Sequence, residues 1–350
     1  MRTDKRQHDE NLWGPLRPRD LTRVVDILKK GKSFFIGSHE DPDGDAIGSL
    51  LALGEALRLS RKRIVLFNEG PLTDTMASMP GIERVVDAMD HGTRFDALFI
   101  LDCATLERLG RISLELGGRG CLINIDHHEN NTQFGDLNIV DGDSSSTGEI
   151  IYRLIRAADL PMNEKIAEGI FVAIQTDTGS FRYHNTTRAA FEIAGEMFDW
   201  GVDPWRISRK VMDSYSVDKL QFLAAALKTI EVYHEGKVGL MTITREMCSA
   251  WGADHFDVER FADFPRYIAG VEVAALIRER EEECYRFSLR SNDSVNVADL
   301  AGHFGGGGHP RAAAFTREGT LDSIKHEFLS KALLFLDNVD NELYSARGNP

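Results

Sequence analysis

Four short apolar runs punctuate the first half of the chain: SFFIG at 33–37, RIVLF at 63–67, DALFIL at 96–101 and CLINI at 121–125. Each is nearly continuous in apolar residues and rich in Ile, Val, Leu or Phe, which predicts strands covered on both faces rather than half-wetted ones. Between them the apolar positions change to helical spacing, most clearly over 45–59, where Ile47, Leu50, Leu51, Gly54 and Leu57 share a side. Helices are also predicted over 147–158, with Ser146 or Thr147 as N-cap, and over 164–174. Strand and helix in alternation predict an α/β fold with a parallel sheet and helices on both faces.

The pattern loosens at 200–216, then becomes strongly helical and alanine-rich at 219–230, a segment expected to connect two domains. Beyond it, strands are predicted at 238–243, 271–278 and 285–289 and helices at 258–264 and 297–304. A glycine run at 305–308, an apolar stretch at 312–315 and a closing helix over 321–336 follow. The expected organisation is a flexible polar leader (1–17), an α/β domain (18–216), a linker helix (217–231), a smaller α/β domain (232–340) and a tail (341–350). Two domains suit a chain of 350 residues.

Charge narrows the partners. The formal net charge is −14, from 55 acidic against 41 basic side chains. Such a chain repels a long polyphosphate backbone, whose binding depends on Lys and Arg releasing counterions. A short anionic substrate remains accessible if metal ions supply local positive charge. Cys103, Cys121, Cys248 and Cys284 form no CxxC pair, which argues against a thiolate zinc site and fits a reducing compartment. The polar first residues carry no signal-peptide core, and no run approaches the ~20 apolar residues of a membrane span. A cytoplasmic location without membrane attachment is expected.

Candidate chemistry lies directly after the predicted strands. His39, Asp43 and Asp45 follow the first, Asp102 the third, and Asp126, His127 and His128 the fourth; Asp177 follows the apolar helix. Ligands of open parallel sheets bind outside the carboxyl ends of the strands, so these residues are expected on one rim. In His39-Glu40-Asp41-Pro42-Asp43-Gly44-Asp45, Pro42 sets a turn and Gly44 is expected to relieve its backbone dihedrals. Carboxylates mixed with imidazoles suit Mn²⁺, Mg²⁺ or Fe²⁺. So many donors exceed the needs of one open ion; two ions about 3.5–4 Å apart, sharing a carboxylate, use them all. Phe181 and Tyr183 are open between base stacking and core packing.

HEDPDGDAIGS, LDCA, IDHH and TDTGSF, in that order, resemble the four motifs of the DHH phosphoesterases. FGGGGHPRAAAF resembles the substrate-binding motif of their DHHA1 subfamily, although Ala312-Ala313-Ala314 stands where the family usually reads AAG. The resemblance spans about 21–336, and the length is most similar to the nanoRNase/pAp phosphatase type rather than to RecJ-type exonucleases. It implies that His39, Asp43 and Asp102 hold one ion and that Asp45, Asp102, His127 and Asp177 hold a second, with Mn²⁺ favoured. It further implies that Asp126 orients a ligand, that His128 faces the scissile phosphate, and that Arg290 and Ser291 meet a substrate phosphate. Gly306, Gly307, Gly308 and His309 would close over the nucleotide in a cleft between the domains.

The implied activity is hydrolysis of very short RNA to 5′-mononucleotides and removal of the 3′-phosphate of pAp, without long duplex substrates. A homodimer is implied by the same resemblance. Rival readings are cleavage of linear or cyclic dinucleotides, a RecJ-like 5′ exonuclease, and, outside enzymes, a nucleotide sensor.

Overall fold

A computed structural model describes residues 19–346 apart from 91, 213, 214, 254, 255, 257, 293 and 294. The leader at 1–17 and the last residues of the tail lie outside the described residues. The chain divides into two compact units, with the division between Ser214 and Tyr215.

The first unit opens with α1 (Leu21–Lys30), β1 (Ser33–Ser38), α2 (Gly44–Leu59), β2 (Arg63–Phe67), the single turn α3 (Asp74–Ala77), β3 (Val85–Val86), β4 (Ala97–Leu101), β5 (Cys121–Asp126) and β6 (Leu137–Val140). It closes with α4 (Thr147–Ala157), α5 (Glu164–Asp177), α6 (Arg188–Asp199) and α7 (Pro204–Val211). The strands pair in the order β3-β2-β1-β4-β5-β6, all parallel. The order reverses between β1 and β4, so the loops leaving those two neighbours run in opposite senses and leave a crevice at their carboxyl ends.

Side chains alternate across this sheet. Phe34, Ile36, Phe99, Leu101, Ile123 and Ile125 pack with α1, α2, α4 and α5 on one face. Phe35, Phe67, Leu98 and Ile100 turn to the other, where Leu109, Ile112 and Leu116 from two 3₁₀ segments and the residue after them cover them. Helix α2 is apolar on nearly every side and buried from Asp45 to Leu57 because it lies between the sheet and α5. The close approach explains Gly44. Its φ is not in the left-handed region, so the expected relief of backbone dihedrals is not its purpose. A Cβ there would lie 2.4 Å from Thr176 Cγ2 on α5; such overpacking costs about 1–3 kcal/mol.

Helices α6 and α7 escaped the apolar pattern. Segment α7 falls where the pattern loosens, because only Ile207 of its eight residues is buried; Asp203 caps it and Pro204 starts it. Helix α6 exposes Phe191 and Phe198, which blurs its apolar stripe. Phe181 stacks on Phe191 with ring centroids 5.0 Å apart and packs near Phe171 at 6.3 Å, the packing alternative for that residue.

The second unit contains α8 (Val217–Leu227), β7 (Glu231–Tyr233), β8 (Val238–Ile243), α9 (Arg245–Trp251), α10 (Asp263–Arg266), β9 (Val273–Glu281) and β10 (Cys284–Ser291). It ends in α11 (Val297–Gly302), β11 (Gly307–His309), β12 (Ala312–Glu318) and α12 (Leu321–Ala346). The mixed sheet runs β11-β12-β10-β9-β8-β7, with only the β8–β9 pair parallel. One face packs Phe287, Phe315 and Leu289 against Phe304 and Phe328; the other packs Met241 and Leu276 against Phe261 and against Phe222 and Ala226 of α8. The helix expected as a connection therefore supplies core side chains to the second unit. The glycine run is partly a strand: Gly308, at φ +145, pairs with Ala313, whose Cα would lie 2.6 Å from an added Cβ. Ala314 sits in regular pairing with Ser288 and Gly307, so no glycine is needed there.

Candidate metal centre

Strand register alone brings three candidates together. Ser38 pairs with Leu101 and Leu101 with Ile125. The next residues, His39, Asp102 and Asp126, consequently stand side by side at the crevice, one strand spacing (~4.8 Å) apart. The exit of β1 is pinned by Asn68, whose amide donates to His39 O at 2.8 Å and Ser38 Oγ at 3.0 Å. Asp43 ends the turn as N-cap of α2, where Oδ1 accepts the Ala46 N–H at 2.9 Å; its second oxygen is not used by the cap. Asp45 enters from the first turn of α2 and Asp177 from the last residue of α5.

Two groups of donors result. The ligand atoms of His39, Asp43 and Asp102 lie within 4.8 Å of one another, as do those of Asp45, His127 and Asp177. Asp102 reaches both: Oδ2 is 3.4 Å from His39 Nε2 and Oδ1 is 3.7 Å from His127 Nε2. His127 Nε2 is also 3.7 Å from Asp45 Oδ2 and from Asp177 Oδ2. These gaps exceed hydrogen-bond length. They lie within or just above the ~3.0–3.6 Å edges between donors that share an ion at bonds of about 2.0–2.2 Å. All six residues predicted as ligands are thus in one place.

Most of these side chains are aimed by a partner. His127 Nδ1 donates to Ser144 O at 3.3 Å, which turns Nε2 toward the acids. Asp45 accepts the backbone N–H groups of Thr147 (2.7 Å) and Gly148 (2.9 Å) and the Ser49 hydroxyl (2.9 Å). That places it on the positive end of α4. The same helix start is locked by Ser146, the N-cap, which accepts the Glu149 N–H, while Glu149 accepts from Ser145 N and Oγ. Asn185 donates to Asp177 Oδ2 at 2.9 Å. His128 Nδ1 donates to Asp126 Oδ1 at 2.7 Å, and Asn131 holds Asp126 Oδ2 at 2.6 Å. Asp102 itself has φ +57, a left-handed conformation uncommon for a residue with a side chain and typical of strained functional positions.

Thr147, Asn131, Asn185 and Ser49 were not among the residues singled out for this site. Thr147 was visible only as a helix cap, and an isolated Asn or Ser carries no spacing signal until folding sets it beside a carboxylate.

The electrostatics call for protons or a cation. Asp45 is buried, and burial together with Asp102, Asp177 and Asp43 pushes its carboxyl well above the usual range despite the opposing effect of His127. Burial, with Asp43 and Asp102, raises Asp177 to about 6, again against His127; it also sits at the negative end of α5, where a carboxylate is disfavoured. Burial opposes charge on His127, but Asp177, Asp45 and Asp102 outweigh it and lift the imidazole to about 10. Asp102 moves the other way: burial would raise it, but His39 beside Oδ2 and the other neighbouring imidazoles hold it far below the usual range. His39 Nδ1 is buried without a hydrogen-bond partner. Metal-free, the cluster balances its charge by retaining protons; divalent ions fit the same donors and replace those protons.

The second unit's candidates are held locally. Arg290 donates to Leu289 O at 2.9 Å and lies 3.5 Å from Asp263 Oδ1. Ser291 is buried, and its hydroxyl donates to Pro310 O at 3.3 Å, which ties β10 to the turn between β11 and β12. Gly306 precedes β11, and Gly307, Gly308 and His309 form it, half-buried at the sheet edge.

Both units match known protein families. The model of the DHH family N-terminal domain matches residues 33–174, and that of the DHHA1 domain matches 242–337. A Thermus thermophilus protein named bifunctional oligoribonuclease and PAP phosphatase NrnA is 32% identical over 89% of this chain and 92% of its own. The chain belongs to the DHH family. A Bacillus subtilis protein of the same name is 26% identical over 83% of this chain and 91% of its own. The crystal structure of an exopolyphosphatase-related protein from Bacteroides fragilis superposes with a TM-score of 0.82 at 28% identity, covering 93% of this chain and 97% of the other. As a DHH protein the chain is a metal-dependent phosphoesterase, and DHH phosphoesterases use divalent metals of the kind its acid–imidazole clusters suit. No helix among the described residues is long and apolar enough to cross a membrane.

Proposed function

We propose that this DHH enzyme hydrolyses very short RNA to 5′-mononucleotides and removes the 3′-phosphate of pAp, with Mn²⁺ as the preferred ion, in the cytoplasm. One observation supports the two-ion reading above all: Asp102 offers Oδ2 beside His39 and Oδ1 beside His127. The two groups then become adjoining sites with a common carboxylate. The relatives named for oligoribonuclease and PAP phosphatase activity support the substrate class.

When bound, a divalent pair supplies Lewis acidity for the phosphoryl oxygens and lowers the pKa of attacking water. The chain's own residues do the rest. His39, Asp43 and Asp102 would hold one ion, and Asp45, Asp102, His127 and Asp177 the other. Asp126 orients His128 through Nδ1; in its imidazolium form the ring would donate Nε2–H to the scissile phosphate and stabilise the charge that develops there. In the second unit, Arg290 serves a substrate phosphate, and His309 with its glycines recognises the nucleotide. Ser291, whose hydroxyl is taken by Pro310 O, contributes by holding that turn.

Product analysis on 5′-labelled di-, tri- and 24-nucleotide RNA alongside pAp, with Mn²⁺, tests the reading. Fast turnover of the short RNAs and pAp with little cleavage of the 24-mer is expected. Activity rising steadily with length would replace it with a processive exonuclease.

A further inference from the structure

Thr147 begins α4 and is fully buried. It is not the helix cap, because Ser146 accepts the Glu149 N–H at 3.2 Å in that role. The Thr147 hydroxyl instead donates to Asp102 Oδ1 at 3.1 Å, and its backbone N–H donates to Asp45 Oδ2 at 2.7 Å. One residue therefore touches the carboxylate shared by the two donor groups and a carboxylate belonging to only one of them.

We propose that Thr147 is the positioning residue for the shared carboxylate: its hydroxyl fixes the rotation of Asp102 so that each oxygen serves a different ion. The proposal rests on the two-ion reading above. A carboxylate on a short side chain turns about its last bond, whose energy profile is broad. Without a constraint, Asp102 samples orientations in which both oxygens face one group. Thr147 is anchored at both ends, by its own N–H on Asp45 and by the Ser146–Glu149 lock before it, so its hydroxyl is a fixed donor. Donation to Oδ1 leaves Oδ2 free of it, 3.4 Å from His39 Nε2. The two oxygens are thereby made unequal: the one facing His127 carries the Thr147 hydrogen bond, and the one facing His39 does not. The ion beside Asp45, His127 and Asp177 is predicted to be the more weakly held, and the more dependent on Thr147.

The test is Thr147→Val, which keeps the branched shape and removes the donor, with Thr147→Ser, which keeps the donor and removes the methyl group. Full-length proteins are stripped of metal, titrated with Mn²⁺ by calorimetry and examined by electron paramagnetic resonance at two ions per chain. Wild type is expected to show the multiline signal of an exchange-coupled Mn²⁺ pair. Thr147→Val is expected to lose that coupling and to bind its second ion about 10–100-fold more weakly, the usual range for removing an outer partner of a metal ligand. Its kcat falls by a similar factor while KM changes little, and Thr147→Ser restores coupling and affinity. A Val variant with wild-type coupling and affinity overturns the proposal. So does a Ser variant as impaired as Val, since the methyl packing rather than the hydroxyl would then matter. An uncoupled or single-ion wild type is a different failure, recognisable before any variant is made, and removes the two-ion reading together with the proposal.

Discussion

The rim of the first unit and the edge of the second both gather polar residues, yet they treat them differently. At the rim, His39, Asp45, Asp102, Asp126, His127 and His128 are buried; apart from the His128–Asp126 hydrogen bond at 2.7 Å, gaps of 3.4–3.7 Å among them and to Asp177 leave charge that only protons or cations can balance. At the edge, Arg290 is paired with Asp263, Ser291 with Pro310, and Gly307–His309 with Ala312–Ala314. The first region carries unmet electrostatic demand and the second is locally satisfied. Stored demand suits catalysis, since the site binds what completes it; a satisfied, half-open edge suits recognition, where contacts form without reorganising a core.

The largest expected effect that tests this contrast is Asp102→Asn. Loss of the shared charge should remove both ions and lower turnover of every phosphodiester by on the order of 10³-fold or more, read from Mn²⁺ stoichiometry and initial rates. A variant that still binds two ions would show that the carboxylate does not join the groups. His309→Ala is expected to be smaller and selective: about a 10-fold loss in kcat/KM on dinucleotide RNA, which corresponds to about 1.4 kcal/mol, with turnover of bis-p-nitrophenyl phosphate nearly unchanged. Equal loss on both substrates would move His309 into the chemistry and dissolve the division of labour.

The smallest effect is thermal. Asp45 and Asp177 are raised, the latter to about 6, and His127 to about 10. Each binds its proton more tightly folded than unfolded, so its contribution to metal-free stability is complete below the unfolded value. That contribution is lost as pH rises, through about 6 for Asp177 and through about 10 for His127. Mn²⁺ bound by the same groups would replace those protons. The rise in Tm on adding Mn²⁺ should therefore be larger at pH 8 than at pH 5.5, by on the order of 5 °C. Glu55, held at about 2 chiefly by its hydrogen bond to Arg58, loses its contribution only in acid, outside this window. A metal increment that shrinks with pH would contradict the proton-for-metal exchange.

Much of this was readable from the chain because the information is local. Strands β1, β2, β4 and β5 are continuous apolar runs, and helices α2, α4 and α5 carry long buried stretches. Strands β3 and β6 were not readable: two and four residues become strands only because β2 and β5 offer edges to pair with. Helix α9 also passed unread, and its seven residues bury only Cys248. Gly44 was read as a turn residue but is small because α5 crosses against it.

The order and spacing of His39, Asp43, Asp45, Asp102, His127 and Asp177 were written into the chain, and with them the kind of ion and the rim on which they would meet, because strand ends in a parallel sheet share one edge. Only folding could set the start of α4 against Asp45 and Asp102, give Asp102 its left-handed backbone and a threonine donor, and occupy the hydroxyl of Ser291 within its own unit. Those outcomes depend on contacts between residues far apart in sequence, whose distances no spacing along the chain encodes.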